Sequence, residues 1–425
     1  MIRRPGTVLA LLTGLNLLNY LDRLVVSAVL PKVQEELALT NFQGGLLATV
    51  FLVGYFLTSP IFGSLGDRLP RKGLIAAGVL VWSLATMGSG VAVGIGSLLL
   101  ARALVGVGEA SYATLAPTII DDVTPSRRKG RALAVFYMAT PVGAALGYLV
   151  GGFVESRWGW RTAFLVAGGP GVLLAGTCLF IAEPERKLAT EKADLLRDVK
   201  KLARVDLYRK GVVGYCAYTA AIGAFSYWAP KFLYARYALP LATANFRFGI
   251  VTVLGGAIGT ILGGRWADRS SNAALPKANA EDTASYSGDP EAAQAREREA
   301  ERLRVKRLLR ICATGSAIGA PLAAGAFLSP SPTVFFALVF LAITALFLNT
   351  SPINAVILQA VPTELRASAM ALSIFSIHIF GDLWSPPLVG LLADHAPIEL
   401  AMLTLPLAIA GSAWLWWPRR AAAAT

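Results

Sequence analysis

Gly63-Ser64-Leu65-Gly66-Asp67-Arg68 ends an apolar run that starts near residue 43, and Gly264-Arg265-Trp266-Ala267-Asp268-Arg269 ends another, 201 residues later. A second pair of landmarks keeps step with the first. Pro125-Ser126-Arg127-Arg128-Lys129-Gly130 precedes a run opening near residue 131, and Pro362-Thr363-Glu364-Leu365-Arg366 precedes one opening near residue 367. Counting outward from these marks, six apolar runs lie near 7–30, 43–65, 73–94, 97–120, 131–153 and 161–182. Six more lie near 211–233, 246–266, 308–328, 333–355, 367–391 and 398–417. Run n corresponds to run n+6, the pattern of a parallel repeat about an axis normal to a membrane.

Runs of about 20 residues suffice to cross a hydrocarbon core about 30 Å thick as α-helices. The 425 residues are 55% hydrophobic and 15% charged, with a mean hydropathy of +0.58; soluble domains carry about 25% charged residues. This excludes a soluble enzyme, a nucleic-acid-binding protein and a disordered chain. The predicted fold is an all-α membrane protein of twelve transmembrane helices in two six-helix bundles. The bundles are expected at 1–183 and 211–425, with a cytosolic linker at 184–210. In that linker Leu188, Leu195, Leu196, Val199 and Leu202 recur at helical spacing, which suits an amphipathic helix on the membrane surface. The other long connection, Ser270 to Arg307, becomes charged and helical from Pro290, with Asp289 placed to cap it. Glu299 and Glu301 fall three residues before Arg302 and Arg304.

The net charge of +13 has a topological meaning here. With the N-terminus inside, 31 of the 39 Lys and Arg residues fall on the inner side, six fall outside, and Arg23 and Arg102 lie within spans. Both termini are therefore expected in the cytosol. The first run contains Asn16, Asn19, Asp22 and Arg23 and is expected to be an uncleaved span rather than a signal peptide. Cys178, Cys216 and Cys312 sit in or beside apolar runs without any CxxC, so no disulfide framework and no metal site is implied.

Ionisable groups inside a bilayer are costly, about 2.5–3.5 kcal/mol or more near its centre, and so mark candidate sites. Asn16, Asn19, Tyr20 and Arg23 fall at i, i+3, i+4 and i+7 on one face of span one, bordered by Asp22. Asp22 and Arg23 point about 100° apart and suit partners on other helices. Arg102, Gly106 and Glu109 share one face of span four. Asp22 and Glu109 are candidate proton carriers, and Arg23 and Arg102 candidate contacts for an anionic headgroup; a purely structural ion pair between spans one and four is the alternative. In span eleven, His378 and Asp382 lie one turn apart, either lining a cavity or merely hydrogen-bonded, and Ser385-Pro386-Pro387 should break that helix. Gly143, Gly147 and Gly151 suit close helix packing or bending in span five. Phe225, Tyr227 and Trp228 suit an outer gate or an interfacial belt. There is no P-loop, no Ser/His/Asp arrangement and no Cys/His cluster, so neither a cofactor nor enzymatic chemistry is expected.

These residues resemble the major facilitator superfamily. Its loop motif after span two reads here Gly63-Ser64-Leu65-Gly66-Asp67-Arg68-Leu69-Pro70-Arg71-Lys72. Finer matches are similar to the spinster branch: Asn19-Tyr20-Leu21-Asp22-Arg23, Gly106-Val107-Gly108-Glu109-Ala110-Ser111-Tyr112 through Pro117, Phe136-Tyr137 through Tyr148, and His378-Ile379-Phe380-Gly381-Asp382 through Pro387. The resemblance implies that Gly63, Asp67, Arg68 and Arg71 form a latch against span eleven. It also places Asn16, Asn19, Tyr20, Tyr112, His378 and Asp382 with the arginines around a substrate cavity. The implied function is secondary active transport, proton-coupled, of an amphipathic anionic lipid such as a lysolipid or a sphingosine-1-phosphate-like molecule. A proton-coupled exporter of small drugs or metabolites, a non-coupled lipid facilitator and a receptor remain open. The expected partners are the lipid-like substrate, protons and the bilayer, without nucleic acid, in a monomer. Short loops and the Trp158-Gly159-Trp160-Arg161 turn point to a bacterial inner membrane.

Overall fold

Helix starts and stops follow from local chemistry. Thr40 opens the second helix with a capping box: its Oγ1 accepts from the Gln43 N–H at 3.2 Å, and Gln43 Oε1 accepts from the Thr40 N–H at 3.0 Å. Pro5 and Pro332 occupy first turns, where a missing N–H costs nothing. The computed structural model describes residues 2, 4–183, 195–272 and 290–418. Its helices are α1 (Pro5–Leu37), α2 (Asn41–Arg68), α3 (Arg71–Gly90), α4 (Ile95–Val123), α5 (Lys129–Cys178), α6 (Leu195–Ala203), α7 (Asp206–Tyr237) and α8 (Leu241–Asn272). They continue as α9 (Pro290–Leu328), α10 (Pro332–Phe347), α11 (Thr350–Gln359), α12 (Arg366–Ile377), α13 (Ser385–His395), α14 (Ile398–Met402) and α15 (Thr404–Trp416).

Among the described residues, nine helical stretches are long and apolar enough to cross a membrane. Their relation to the twelve apolar runs has physical reasons. α5 holds two runs, joined at Gly159, whose φ of 81° is open to glycine and costly for other residues. α7 is the seventh run, its hydropathy diluted by Tyr215, Tyr218, Tyr227 and Trp228. The eleventh is broken: α12 passes into a π-helical turn at His378–Asp382, and α13 starts afresh with Pro386 in its first turn. The break thus begins eight residues, about two turns, before the prolines. Leu188 and Asp289 lie outside the described residues.

Two compact units result. The first comprises Met1–Lys192, Ala224–Val253 and Leu383–Ala401; the second comprises Ala193–Gly223, Leu254–Asp382 and Met402–Thr425. In the first unit α1 lies against α5 through the glycine row. A methyl group on Gly143 would meet Leu17 O at 2.4 Å, one on Gly147 would meet Leu21 O at 2.7 Å, and one on Gly151 would meet Ala28 Cβ at 2.7 Å. Close packing accounts for these glycines. The buried Arg71 side chain gathers three elements: it pairs with Asp122 at 2.7 Å and Glu183 at 3.1 Å and donates to Thr118 Oγ1 at 3.0 Å. Glu183 also accepts the backbone N–H groups of Arg71 and Lys72, both at 3.2 Å, an anion on the positive end of α3.

The far end of the same unit carries a polar joint. Asp394 accepts the first two N–H groups of α2, from Asn41 at 2.7 Å and Phe42 at 2.9 Å. Lys231 donates to Gln34 Oε1 at 2.6 Å and to Asn41 Oδ1. The Tyr227 hydroxyl donates to Gly44 O at 2.6 Å and the Trp228 indole to Pro386 O at 2.9 Å. Tyr227 and Trp228 are buried, so they pack inside the joint and are not interfacial belt residues. In the second unit, Ser316 accepts from Asn349 at 3.0 Å and from Ser412 at 3.1 Å, tying α9 to the start of α11 and to α15. The linker helix α6 meets the start of α12 through Ser368 and Asp198, 2.6 Å apart.

Candidate functional site

A fully buried carboxylate in the middle of a membrane helix needs a partner. Glu109 in α4 has one: Arg23 Nη2 of α1 lies 2.6 Å from its Oε2. The Glu109 side chain has no exposure and that of Arg23 has 24%, so the cation is the accessible end of the pair. The guanidinium is further held by aromatic faces, 4.8 Å from the ring centroids of Tyr20 and Phe51 and 5.8 Å from that of Tyr55. Contacts of this kind contribute about 0.5–2 kcal/mol each. Arg102, two turns before Glu109 on the same face of α4, shares the Phe51 ring at 4.8 Å and reaches Leu47 O at 3.5 Å. Phe51 therefore stands between two cations and fixes both side chains.

Asp22 behaves differently from its neighbour in sequence. It is 1% exposed and, among the described residues, belongs to no ion pair. It accepts from Thr86 Oγ1 of α3 at 3.5 Å, and its Oδ1 makes no hydrogen bond; Glu109 Oε1 and Asn19 Nδ2 are likewise without hydrogen-bond partners among the described residues. The cluster thus combines one carboxylate in direct contact with an arginine, a second carboxylate within electrostatic reach of Arg102 and Glu109, and two guanidinium groups, all within the first unit.

The remaining expected site residues are distributed as follows. Asn16 donates to Phe136 O at 2.9 Å and faces α5, where it serves helix packing. Tyr20 stacks under Arg23 and belongs to the cluster. Tyr112 is fully buried between Trp82 and Phe136, and its hydroxyl is engaged by Leu12 O, so it anchors α4 to α1. His378 Nδ1 lies 2.9 and 3.0 Å from the two oxygens of Asp382, a pair built on the π-helical turn in the second unit. Such turns often coincide with functional sites. Asp67 and Arg68 are exposed, while Arg71 is buried among Asp122, Glu183 and Thr118; Gly63 faces Thr114. Thr86 and Phe51 were not foreseen: a threonine or a phenylalanine within an apolar run gives no sequence signal for the ion beside it.

Residues 12–278 match the family description Major Facilitator Superfamily. The chain is 34% identical to "Protein spinster homolog 1" of Homo sapiens, over 92% of this chain and 74% of that protein. It is 31% identical to "Probable sphingolipid transporter spinster homolog 2" of Arabidopsis thaliana, over 96% and 86%. The chain belongs to the spinster branch of the major facilitator superfamily. Its fold agrees with that of a bacterial homologue of the human lysosomal transporter Spinster, solved in an inward-facing and unoccupied conformation: the TM-score is 0.81 at 20% identity, covering 98% of this chain and 97% of the other. This spinster-family protein is an integral membrane transporter of the twelve-helix major facilitator fold, not an enzyme.

Proposed function

We propose that this spinster-family transporter couples proton movement to the passage of an amphipathic anionic lipid, a lysolipid or a sphingosine-1-phosphate-like molecule, by alternating access. One observation carries this reading: a buried, ion-free Asp22 lies in the same cluster as an arginine, Arg23, that is already paired with Glu109. Protonation of Glu109 would release Arg23 to an anionic headgroup, and Asp22 would store or pass on the proton. Arg102 would provide the second headgroup contact, with Asn19 and Tyr20 beside it. The relatives' names, which include sphingolipid transporter, support the lipid class.

On this reading 1–183 and 211–425 are the two moving bundles and 184–210 is their cytosolic linker. His378 and Asp382 bind cargo from the second half. Gly63, Asp67, Arg68 and Arg71 act as the latch of one conformational state, and Asp67→Ala should shift the population away from it in distance measurements across that face. The chain is assigned to a bacterial inner membrane with both termini cytosolic, as a monomer. The deciding experiment is uptake into proteoliposomes of lipid and non-lipid anions, with and without a pH gradient. Accumulation of a lysolipid or sphingoid phosphate that stops when the gradient is collapsed supports the proposal. Gradient-independent equilibration, or accumulation of non-lipid anions alone, overturns it.

A further inference from the structure

Trp82 of α3 is fully buried, yet its indole N–H has no hydrogen-bond partner among the described residues. An indole nitrogen can only donate, and a buried donor left open is rare. The ring is not free to turn toward another acceptor. It packs edge-on to Tyr112 of α4 at 5.4 Å. Two glycines also sit against it: a methyl group on Gly108 would meet Trp82 Cβ at 2.7 Å, and one on Gly171 of α5 would lie 3.8 Å from Nε1. The group within reach of the indole is the Asp22 carboxylate of α1, whose Oδ1 is likewise open. Thr86 lies one turn after Trp82 on the same face of α3. Its Oγ1 stands 3.5 Å from Asp22 Oδ2, at the outer limit of a hydrogen bond. α3 therefore offers two neutral donors to one carboxylate, with one contact open and the other long.

The surroundings make this arrangement sensitive to a proton. The charged groups acting on Asp22 are Glu109 and Arg102 of α4. α5 meets this part of α1 through Gly143, Gly147 and Gly151, and Tyr55 of α2 faces Arg23. α3 carries no ionisable residue beyond Arg71 and Lys72 at its start. When the carboxylate is ionised, both of its oxygens accept, and hydrogen bonds to a charged acceptor are shorter and stronger than neutral ones. When it holds a proton, one oxygen becomes a donor. The Thr86 hydroxyl can turn and accept from that oxygen, but the indole cannot. Trp82 is thus the partner that distinguishes the two states. We propose that Trp82 and Thr86 form a clasp that closes on Asp22 when it releases its proton to solvent and opens when the proton returns, drawing α1 toward α3 and displacing the adjoining Arg23 relative to Glu109. The clasp rests on the reading of Asp22 as a proton carrier and names the residues that turn its charge into movement. Trp82 and Thr86 act through Asp22 as positioning residues and carry no proton themselves.

NMR of the full-length protein in lipid nanodiscs, isotope-labelled at the tryptophan Nε1, tests this apart from transport. Of the nine indole signals, that of Trp82 is the one lost in Trp82→Phe. Its N–H proton should move downfield in a single step as the pH is raised, the mark of a donor gaining a charged acceptor. Asp22→Asn should abolish the step. Thr86→Val keeps the shape of the side chain without the donor and should displace the midpoint, whereas Thr86→Ser should leave it in place. In proteoliposomes Thr86→Val should lower gradient-driven uptake about tenfold, and by more than it lowers exchange at equal pH, with Thr86→Ser restoring it. Melting temperatures confirm that the valine and serine variants are folded, so the test does not depend on Trp82→Phe. A Trp82 signal that does not titrate, a step that survives Asp22→Asn, or full gradient-driven uptake in folded Thr86→Val would each overturn the clasp. A silent Trp82 signal beside gradient-driven uptake removes the clasp alone, whereas a titrating signal in a protein whose uptake ignores the gradient upholds the clasp and removes the proton-coupled reading.

Discussion

Glu109→Gln offers a quantitative test of the ionic cluster. The substitution keeps the size of the side chain and an oxygen that can accept from Arg23, but removes the negative charge 2.6 Å from the guanidinium. Removing one partner of a buried pair typically costs about 3–5 kcal/mol, because the other charge is stranded. Here the stranded group is Arg23, which is 24% exposed and lies against Tyr20, Phe51 and Tyr55. Partial access to water and the aromatic faces lower the expected loss to about 2–3 kcal/mol. The assay is thermal unfolding in detergent of the wild type, Glu109→Gln, Arg23→Met and the double variant. If the pair interacts as its geometry implies, the double variant loses at least about 1 kcal/mol less than the sum of the singles. Losses that add to within about 0.5 kcal/mol would refute the pairing and, with it, the argument that protonating Glu109 frees Arg23.

Other expectations follow from neighbouring geometry. Asp22→Asn should leave stability within about 1 kcal/mol, since no ion pair is lost, while lowering gradient-driven uptake at least about tenfold and sparing substrate exchange at equal pH. Normal gradient-driven flux in a folded Asp22→Asn protein would reject Asp22 as a proton carrier. Arg71→Ala removes the guanidinium from Asp122 and Glu183, both partly exposed, and should lower stability by about 2–3 kcal/mol, read by thermal melting. Asp394→Ala removes two bonds from the N-terminus of α2 and should cost about 0.5–2 kcal/mol. The same change should raise hydrogen exchange at Asn41 and Phe42 without altering exchange around Arg71.

How far the fold was legible depends on which signal each element carried. Apolar runs and the repeated Gly…Asp-Arg turns sufficed for twelve spans, because bilayer thickness imposes a length that composition reveals. The polar stripe of span one located the cluster, since a lipid-facing Asn16–Arg23 face is prohibitive. The divergent directions of Asp22 and Arg23 likewise predicted partners on separate helices. Partners without charge were invisible: Thr86 and Phe51 are ordinary members of apolar runs until packing brings them to Asp22 and Arg23. Tyr112 illustrates the reverse case. The family resemblance implied a place at the substrate cavity, while the partners seen here, Trp82 and Leu12, are brought to it only by tertiary packing and carried no signal in the sequence. Asp394 carried no signal either, because what it caps begins at Asn41, more than 350 residues earlier in the chain.

The way Asp394 meets α2 bears on how readily that joint can part. Its carboxylate occupies two backbone donors that every helix leaves open at its start, and these contacts are exposed to solvent. Water can take the place of the carboxylate on both N–H groups, and of the N–H groups on the carboxylate, so separation exchanges hydrogen bonds rather than abandoning them. An apolar plug at the same point would expose its whole contact area on parting, at about 25 cal/mol for each Å². A seam closed by a charge on a helix end specifies one register while leaving only a shallow energetic step between joined and parted.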